Sequence, residues 1–168
     1  NISRYEYEGV GFTRLIEKIL AIHGDFRIRI SSIEPEGLED GFVELFGHEK
    51  LCPHLHLCLQ SGSDKVLQRM KRNNTVAGYY TLIEKLRATH PLFNLTTDII
   101  VGFPGETNLD FEDTCRVVRE FGFSHVHTFK YSVRKGTRAE RMPDQVGEMI
   151  KKQRSEIVRK LAEENKLQ

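Results

Sequence analysis

The feature that most constrains this chain is an alternation along its length. Short β-branched and apolar runs recur every ~30 residues with helical periodicity between them, the spacing of βα units on a parallel sheet. Four runs have this character, at residues 27–32, 54–60, 94–102 and 125–131. In the third, Ile99-Ile100-Val101 follows Asp98 and reads as strand buried on both faces. The segments between read as helices. Leu15, Ile16, Ile19 and Leu20 fall at helical spacing within residues 12–22, with Gly24 as terminator. A turn at Glu34-Pro35-Glu36-Gly37 precedes a short helix at residues 38–46. Ser63 caps a helix to about Lys71, residues 77–89 form another before Pro91, Thr107 caps a third to about Phe121, and residues 144–165 form a long charged helix. This pattern predicts one α/β domain, either a barrel or an open doubly wound sheet, and excludes a helical bundle or a β-sandwich.

Composition narrows the function classes. With 39% apolar residues among 168, the chain can bury a core of its own. A formal charge of +1, from 25 Lys plus Arg against 24 Asp plus Glu, gives no global attraction to nucleic acid or anionic membrane, so any such contact is local. No apolar run approaches the ~18 residues of a membrane span, and the Asn1-Ile2-Ser3-Arg4-Tyr5 start has no signal-peptide character. The expectation is a cytoplasmic protein with no membrane partner. Cys52, Cys58 and Cys115 are odd in number and irregularly spaced, which predicts reduced, buried thiols rather than a disulfide framework or a zinc ribbon.

In either α/β architecture the active site lies at the C-terminal ends of the strands. Those ends are polar here: Ser31-Ser32-Ile33-Glu34, then Gln60-Ser61-Gly62-Ser63, then Asp98 leading to Gly102-Phe103-Pro104-Gly105-Glu106-Thr107, then Lys130-Tyr131-Ser132. Polar groups at the ends of buried strands need hydrogen-bond partners, either each other or a ligand. Helix capping accounts for Ser63 and Thr107 as well as a ligand does; it accounts less well for Gln60 and Asp98. The glycines around Phe103 let backbone approach a planar ligand, but their spacing matches neither a triphosphate loop nor the dinucleotide fingerprint.

Three segments together carry a resemblance. Arg29-Ile30-Ser31-Ser32-Ile33-Glu34-Pro35, the run from Cys52 through Gln60-Ser61-Gly62-Ser63-Asp64, and Thr97-Asp98-Ile99-Ile100-Val101-Gly102-Phe103-Pro104-Gly105-Glu106-Thr107 resemble the radical S-adenosylmethionine methylthiotransferases, with Leu67-Gln68-Arg69-Met70-Lys71-Arg72 in support. The Ser-Ser-Ile-Glu-Pro form is most similar to the branch acting on N6-threonylcarbamoyladenosine at position 37 of tRNA; the branches acting on isopentenyladenosine or on a ribosomal protein are the nearer alternatives. The resemblance implies the last four βα units of a six-stranded partial barrel, with Asn1 close to the end of the preceding strand. It also implies S-adenosylmethionine and tRNA as ligands of the whole enzyme, with Gln60 and Asp98 on the ribose and Arg72 on the methionine carboxylate. Ser32 matches a position near the cofactor's amino-acid part, and Val101, Gly102 and Phe103 match the segment against adenine. Glutamine and aspartate can bond vicinal hydroxyls, and guanidinium suits a carboxylate.

The same resemblance implies two [4Fe-4S] clusters in the full-length enzyme, one on a Cys-x-x-x-Cys-x-x-Cys loop. Neither that loop nor the N-terminal cluster domain nor the C-terminal RNA-binding β-barrel is in this sequence. The expectation is therefore an inactive piece of a larger enzyme that ligates no cluster and can self-associate through an exposed barrel edge. Two other classes remain. His54 with His56 and His125 with His127 alternate on strands and could bind zinc in a barrel hydrolase, although His54 and His56 read as distant from the catalytic strand end. Lys65, Arg69, Lys71 and Arg72, and separately Lys130, Arg134, Lys135, Arg138 and Arg141, suit a non-catalytic RNA-binding module. The last helix, with Lys151, Lys152, Arg154, Arg159 and Lys160 among glutamates, reads as a mixed-charge surface.

Overall fold

The strand at residues 94–101 shows how the fold is built. Its burial alternates strictly, with Leu95, Thr97, Ile99 and Val101 buried and Asn94, Thr96, Asp98 and Ile100 partly open. Only one face of the sheet is covered, which corrects the reading of this strand as buried on both. In the computed structural model, which describes residues 2–165, the elements run β1 (Glu6–Tyr7), β2 (Val10–Gly11), α1 (Phe12–Leu20), β3 (Ser32–Ile33), β4 (His54–Leu57), α2 (Asp64–Arg69), α3 (Val76–Thr89), β5 (Asn94–Val101), α4 (Asn108–Glu120), β6 (His125–Lys130) and α5 (Glu148–Asn165). The position inferred for Asn1 lies outside the described residues.

β3, β4, β5 and β6 are parallel and stand side by side in chain order. An open doubly wound sheet reverses its order and carries helices on both faces; a sequential order with helices on one face is a segment of a barrel wall. The covered face packs Leu55, Leu57, Leu59, Ile99 and Val126 against Ile83, Leu86, Val117, Val118 and Val158 from the helices. Burying each such side chain is worth about 1.5–3 kcal/mol. The other face, with His56, Thr96, Asp98, His127 and Phe129, lines the barrel interior.

Several boundaries differ from the sequence reading. The strand expected at residues 27–32 is only Ser32–Ile33, preceded by a single bridge between Ile28 and Leu51. Residues 38–46 are turns ending in a 3-10 helix at Glu44–Gly47 rather than an α-helix. α2 stops at Arg69, short of Lys71, and α5 starts only at Glu148, four residues past Asp144, which has a φ of 62°. The β1–β2 hairpin was not anticipated, although Glu8 and Gly9, both at positive φ, form the two-residue turn that such hairpins require.

Candidate functional site

At Gln60 the backbone takes a φ of 75°, an uncommon conformation for a residue with a side chain, and the chain leaves the sheet. It is held there by its own amide donating to Asp98 O at 2.8 Å and by the Ile100 amide donating to Gln60 O at 2.9 Å. Its side chain is 7% exposed, and Oε1 is buried with no hydrogen-bond partner among the described residues. The Ser61-Gly62-Ser63 turn that follows is docked on α4. The Gly62 amide donates to Thr114 Oγ1 at 3.0 Å, and Ser63 Oγ donates to Asp110 Oδ1 at 2.7 Å while capping α2. Thr107 and Asp110 form a capping box at the start of α4. Burial alone would raise the Asp110 pKa, but bonds from Thr107 and Ser63 outweigh it and hold the carboxyl low. Ser63 and Thr107 are thus structural residues.

On the interior face, Asp98 sits between two side chains of the β4 segment. His56 Nε2 is 3.2 Å from Asp98 Oδ1, and the Cys58 thiol faces Oδ2 at 3.8 Å. His56 Nδ1 is 2.8 Å from Thr96 Oγ1. His56 therefore touches a candidate site residue, correcting the expectation that it lies far from the site. Burial, and then the charges of Asp98 and Glu34, push the Cys58 thiol up to about 12. At pH 8 a thiol of that pKa carries roughly a thousandth of the thiolate of an ordinary cysteine. An aromatic disulfide reagent is expected to label half-exposed Cys52 promptly and Cys58 only after unfolding; rapid labelling of Cys58 in the native chain would contradict this placement.

Arg72 lies beyond the end of α2. Lys71, at a φ of 58°, reverses the chain after α2, and the Arg72 amide closes the turn on Leu67 O at 2.9 Å. The guanidinium then reaches across to Glu34, with which it forms an ion pair that raises its pKa. In sequence Glu34 is one of the polar strand ends, and its partner lies 38 residues away.

The loop after β5 is fixed from below. Gly102 has a φ of 74°, and a Cβ there would lie 2.4 Å from Lys151 Cγ, so only glycine admits this approach of α5. The Gly102 amide donates to Glu106 Oε1 at 2.8 Å, and the same oxygen accepts from Arg154 at 2.5 Å. Lys151 and Arg154, assigned to a charged surface from sequence, are both buried; Arg154 is drawn in by Glu106 and Asn108, and Lys151 by Glu148 and the Tyr131 ring. Phe103 meets Tyr131 edge-on at 5.2 Å.

Two clefts open at this face. One, of about 400 Å³, is lined by Ser32, Asp98, His56 and His127; the other, of about 510 Å³, by Arg72, Phe103, Ile100 and Tyr131; Phe129 borders both. The structure thus brings Ser32, Asp98, Arg72 and Phe103 to neighbouring clefts, with Gln60 behind Asp98. It does not bring the Val101 side chain, which is fully buried among the helices; Ile100, one residue earlier, faces the cleft instead. The period-two alternation of β5 carried that signal. Of the first basic cluster, Arg69 donates to Pro104 O and Arg72 pairs with Glu34, whereas Lys130, Arg134, Lys135, Arg138 and Arg141 are all exposed.

No helix among the described residues is long and apolar enough to cross a membrane. Comparison with known proteins agrees with the geometry. The backbone is similar to that of coproporphyrinogen III oxidase from Escherichia coli, a radical SAM enzyme, with a TM-score of 0.66 and 18% identity over 83% of this chain and 32% of that one; at that identity the likeness shows the fold. In sequence the chain is 43% identical over 166 residues to the threonylcarbamoyladenosine tRNA methylthiotransferase of Thermotoga maritima, covering 98% of this chain and 38% of that protein. It is 47% identical over 158 residues to the tRNA-2-methylthio-N(6)-dimethylallyladenosine synthase of Caldicellulosiruptor saccharolyticus, covering 94% of this chain and 34% of that protein. The chain therefore spans little more than a third of these relatives. Residues 7–118 match the family model described as the radical SAM superfamily, and with the sequential parallel barrel wall this establishes that the chain belongs to that superfamily.

Proposed function

We propose that this chain is the part of a tRNA methylthiotransferase barrel that grips S-adenosylmethionine. The observation that carries the reading is the meeting of Asp98, Ser32, Arg72 and Phe103 at two neighbouring clefts that share Phe129. Gln60 Oε1, buried without a donor at a cost of about 1–3 kcal/mol, lines neither cleft, so a ribose hydroxyl would supply its donor only once the side chains over it shift. Asp98 would accept from the neighbouring hydroxyl. The Arg72–Glu34 pair complements a zwitterion, since Arg72 has donors left for a carboxylate and Glu34 has acceptors for an ammonium. Ser32, the first residue of β3, lines the adjoining 400 Å³ cleft, and Phe103, Ile100 and the backbone at Val101 and Gly102 would form the wall against adenine. When bound, the cofactor supplies one-electron chemistry and the methyl group; these residues orient it and keep water from one side.

The superfamily's iron–sulfur cluster is a different matter. A cubane held by this chain would need three converging thiolates. Cys58 faces the barrel interior while Cys115 lies in the core on the helix side of the sheet, so the cysteines here do not fit it.

For the substrate, we favour the threonylcarbamoyl-modified adenosine. Its substituent carries a carboxylate, and Lys130 and Arg134 stand on the rim of the 510 Å³ cleft; a dimethylallyl group would gain nothing from them. Calorimetric titration of the chain with S-adenosylmethionine tests the cofactor reading: Arg72→Ala and Asp98→Asn are each expected to weaken binding ~10–100-fold, as loss of a charge-assisted bond does, and unchanged affinity would refute the assignment. Mass analysis of tRNA nucleosides from cells with and without the protein tests the substrate. Loss of the 2-methylthio group from dimethylallyladenosine in place of the threonylcarbamoyl nucleoside would favour the other branch.

A further inference from the structure

The barrel interior holds a second arrangement that ribose binding does not explain. The ligand atoms of His56, Cys58 and Asp98 all lie within 4.8 Å of one another. Asp98 touches both partners, with His56 Nε2 3.2 Å from Oδ1 and Cys58 Sγ 3.8 Å from Oδ2, and neighbouring ligands around a tetrahedral zinc ion stand roughly 3.3–3.8 Å apart. The other His56 nitrogen is fixed by Thr96 Oγ1 at 2.8 Å, the kind of outer contact that sets the ring of a metal-binding histidine. Among the described residues no lysine or arginine pairs with Asp98; Arg72 is turned to Glu34, and Arg29 is within 2.7 Å of His54 instead. The carboxylate thus faces a weak thiol donor and an imidazole and lacks a cationic partner.

The placement follows from sheet geometry. His56 is in register with Thr96, so Cys58, two residues on, comes level with Asp98. On the far side Asp98 is in register with His127, whose ring centroid lies 5.4 Å from that of His56. The 400 Å³ cleft is lined by His56 and Asp98, with Cys58 buried beside them, so a fourth ligand has access from the His56 and Asp98 side.

We propose that His56, Cys58 and Asp98 form a three-residue site for a borderline-soft divalent cation, zinc by preference, open on its fourth side to the barrel interior. Nitrogen, thiolate and carboxylate ligands together favour zinc or cobalt over magnesium or calcium, which take oxygen alone. The ligand set differs from the paired histidines considered from sequence, since it takes one histidine from that group and adds two ligands from elsewhere. The site does not depend on the cofactor reading, although both use Asp98, so a metal there and a ribose there exclude one another.

The test uses the chain itself, reduced and stripped of metal, titrated anaerobically with cobalt(II). The expected result is one equivalent bound, with a thiolate-to-cobalt charge-transfer band in the near ultraviolet, intense tetrahedral visible bands, and displacement of both by zinc. Cys58→Ser should abolish the charge-transfer band, and His56→Gln should weaken binding at least tenfold, while Cys52→Ser and Cys115→Ser keep both. Circular dichroism of each variant checks the fold. Absence of the band in the wild type would overturn the proposal on its own, and so would its persistence in folded Cys58→Ser. S-adenosylmethionine binding measured without metal stays separate, so either reading can fail alone.

Discussion

Arg154→Met is expected to lower the stability of the fold by roughly 3–5 kcal/mol in urea unfolding at neutral pH, the cost of leaving a buried charge without its partner. Glu106 has no exposed side-chain surface, its Oε2 has no hydrogen-bond partner among the described residues, and Oε1 is shared between Arg154 and the Gly102 amide. Burial already raises the Glu106 pKa, with Gly102 and Arg154 opposing it only in part. Without the guanidinium the folded pKa rises further above the unfolded value. Between those two pKa values the folded variant binds a proton that the unfolded chain does not, so lost stability returns as the pH falls from the folded pKa towards the unfolded one. The double variant Glu106→Gln with Arg154→Met should be more stable than Arg154→Met alone. A loss under 1 kcal/mol that does not vary with pH would show that the pair contributes little.

Gly62→Ala should be nearly as damaging for a steric reason. A Cβ at Gly62 would lie 2.5 Å from Thr114 Cα and 2.9 Å from Asp113 O, and both are backbone atoms of α4 that no side-chain rotation can clear. Relief requires moving the turn away from the helix, which also breaks the Gly62 amide bond to Thr114. Overpacking of this kind costs about 1–3 kcal/mol, with the lost buried bond adding about 1–3 more. Gly47→Ala is the control, because nothing lies within 4 Å of a Cβ there and its φ is not in the left-handed region. Equal stability of the two variants would mean that the turn is not clamped on α4. Displacement of the turn should also shift Gln60, so S-adenosylmethionine affinity is expected to fall in Gly62→Ala and not in Gly47→Ala.

Much of this was legible in the chain because it is local. Apolar runs every ~30 residues mark βα units, and Ser63 and Thr107 cap the helices they precede. Gln60, Asp98 and Phe103 could be named from motifs because each stands at or beside a strand end, whereas Arg72, one helix later, is named by the resemblance alone. What escaped depends on pairings distant in sequence. Glu106 and Arg154 are 48 residues apart, and nothing in the charged pattern of the last helix distinguishes Arg154 from Arg159 until Glu106 is brought beneath it. Glu34 and Arg72 meet over 38 residues through a turn made by Lys71, a residue type that does not advertise a left-handed conformation. The triangle of His56, Cys58 and Asp98 needs the register of β4 against β5, which sequence does not fix. The Val101 side chain turns away from the cleft for a smaller reason: neighbours along a strand point in opposite directions, so Ile100 and not Val101 faces it.

The clamp beneath Gly102 has a mechanical side. Lys151 fills the space left by the absent Cβ, Arg154 is bolted through Glu106 to the Gly102 amide, and both residues belong to α5. The loop and the last helix therefore form one rigid lever, with Phe103 at its short end and the C-terminal turns of α5 at its long end. A tilt of α5 would be delivered to the loop bearing Phe103 directly, in addition to acting through the sheet on which the helix packs.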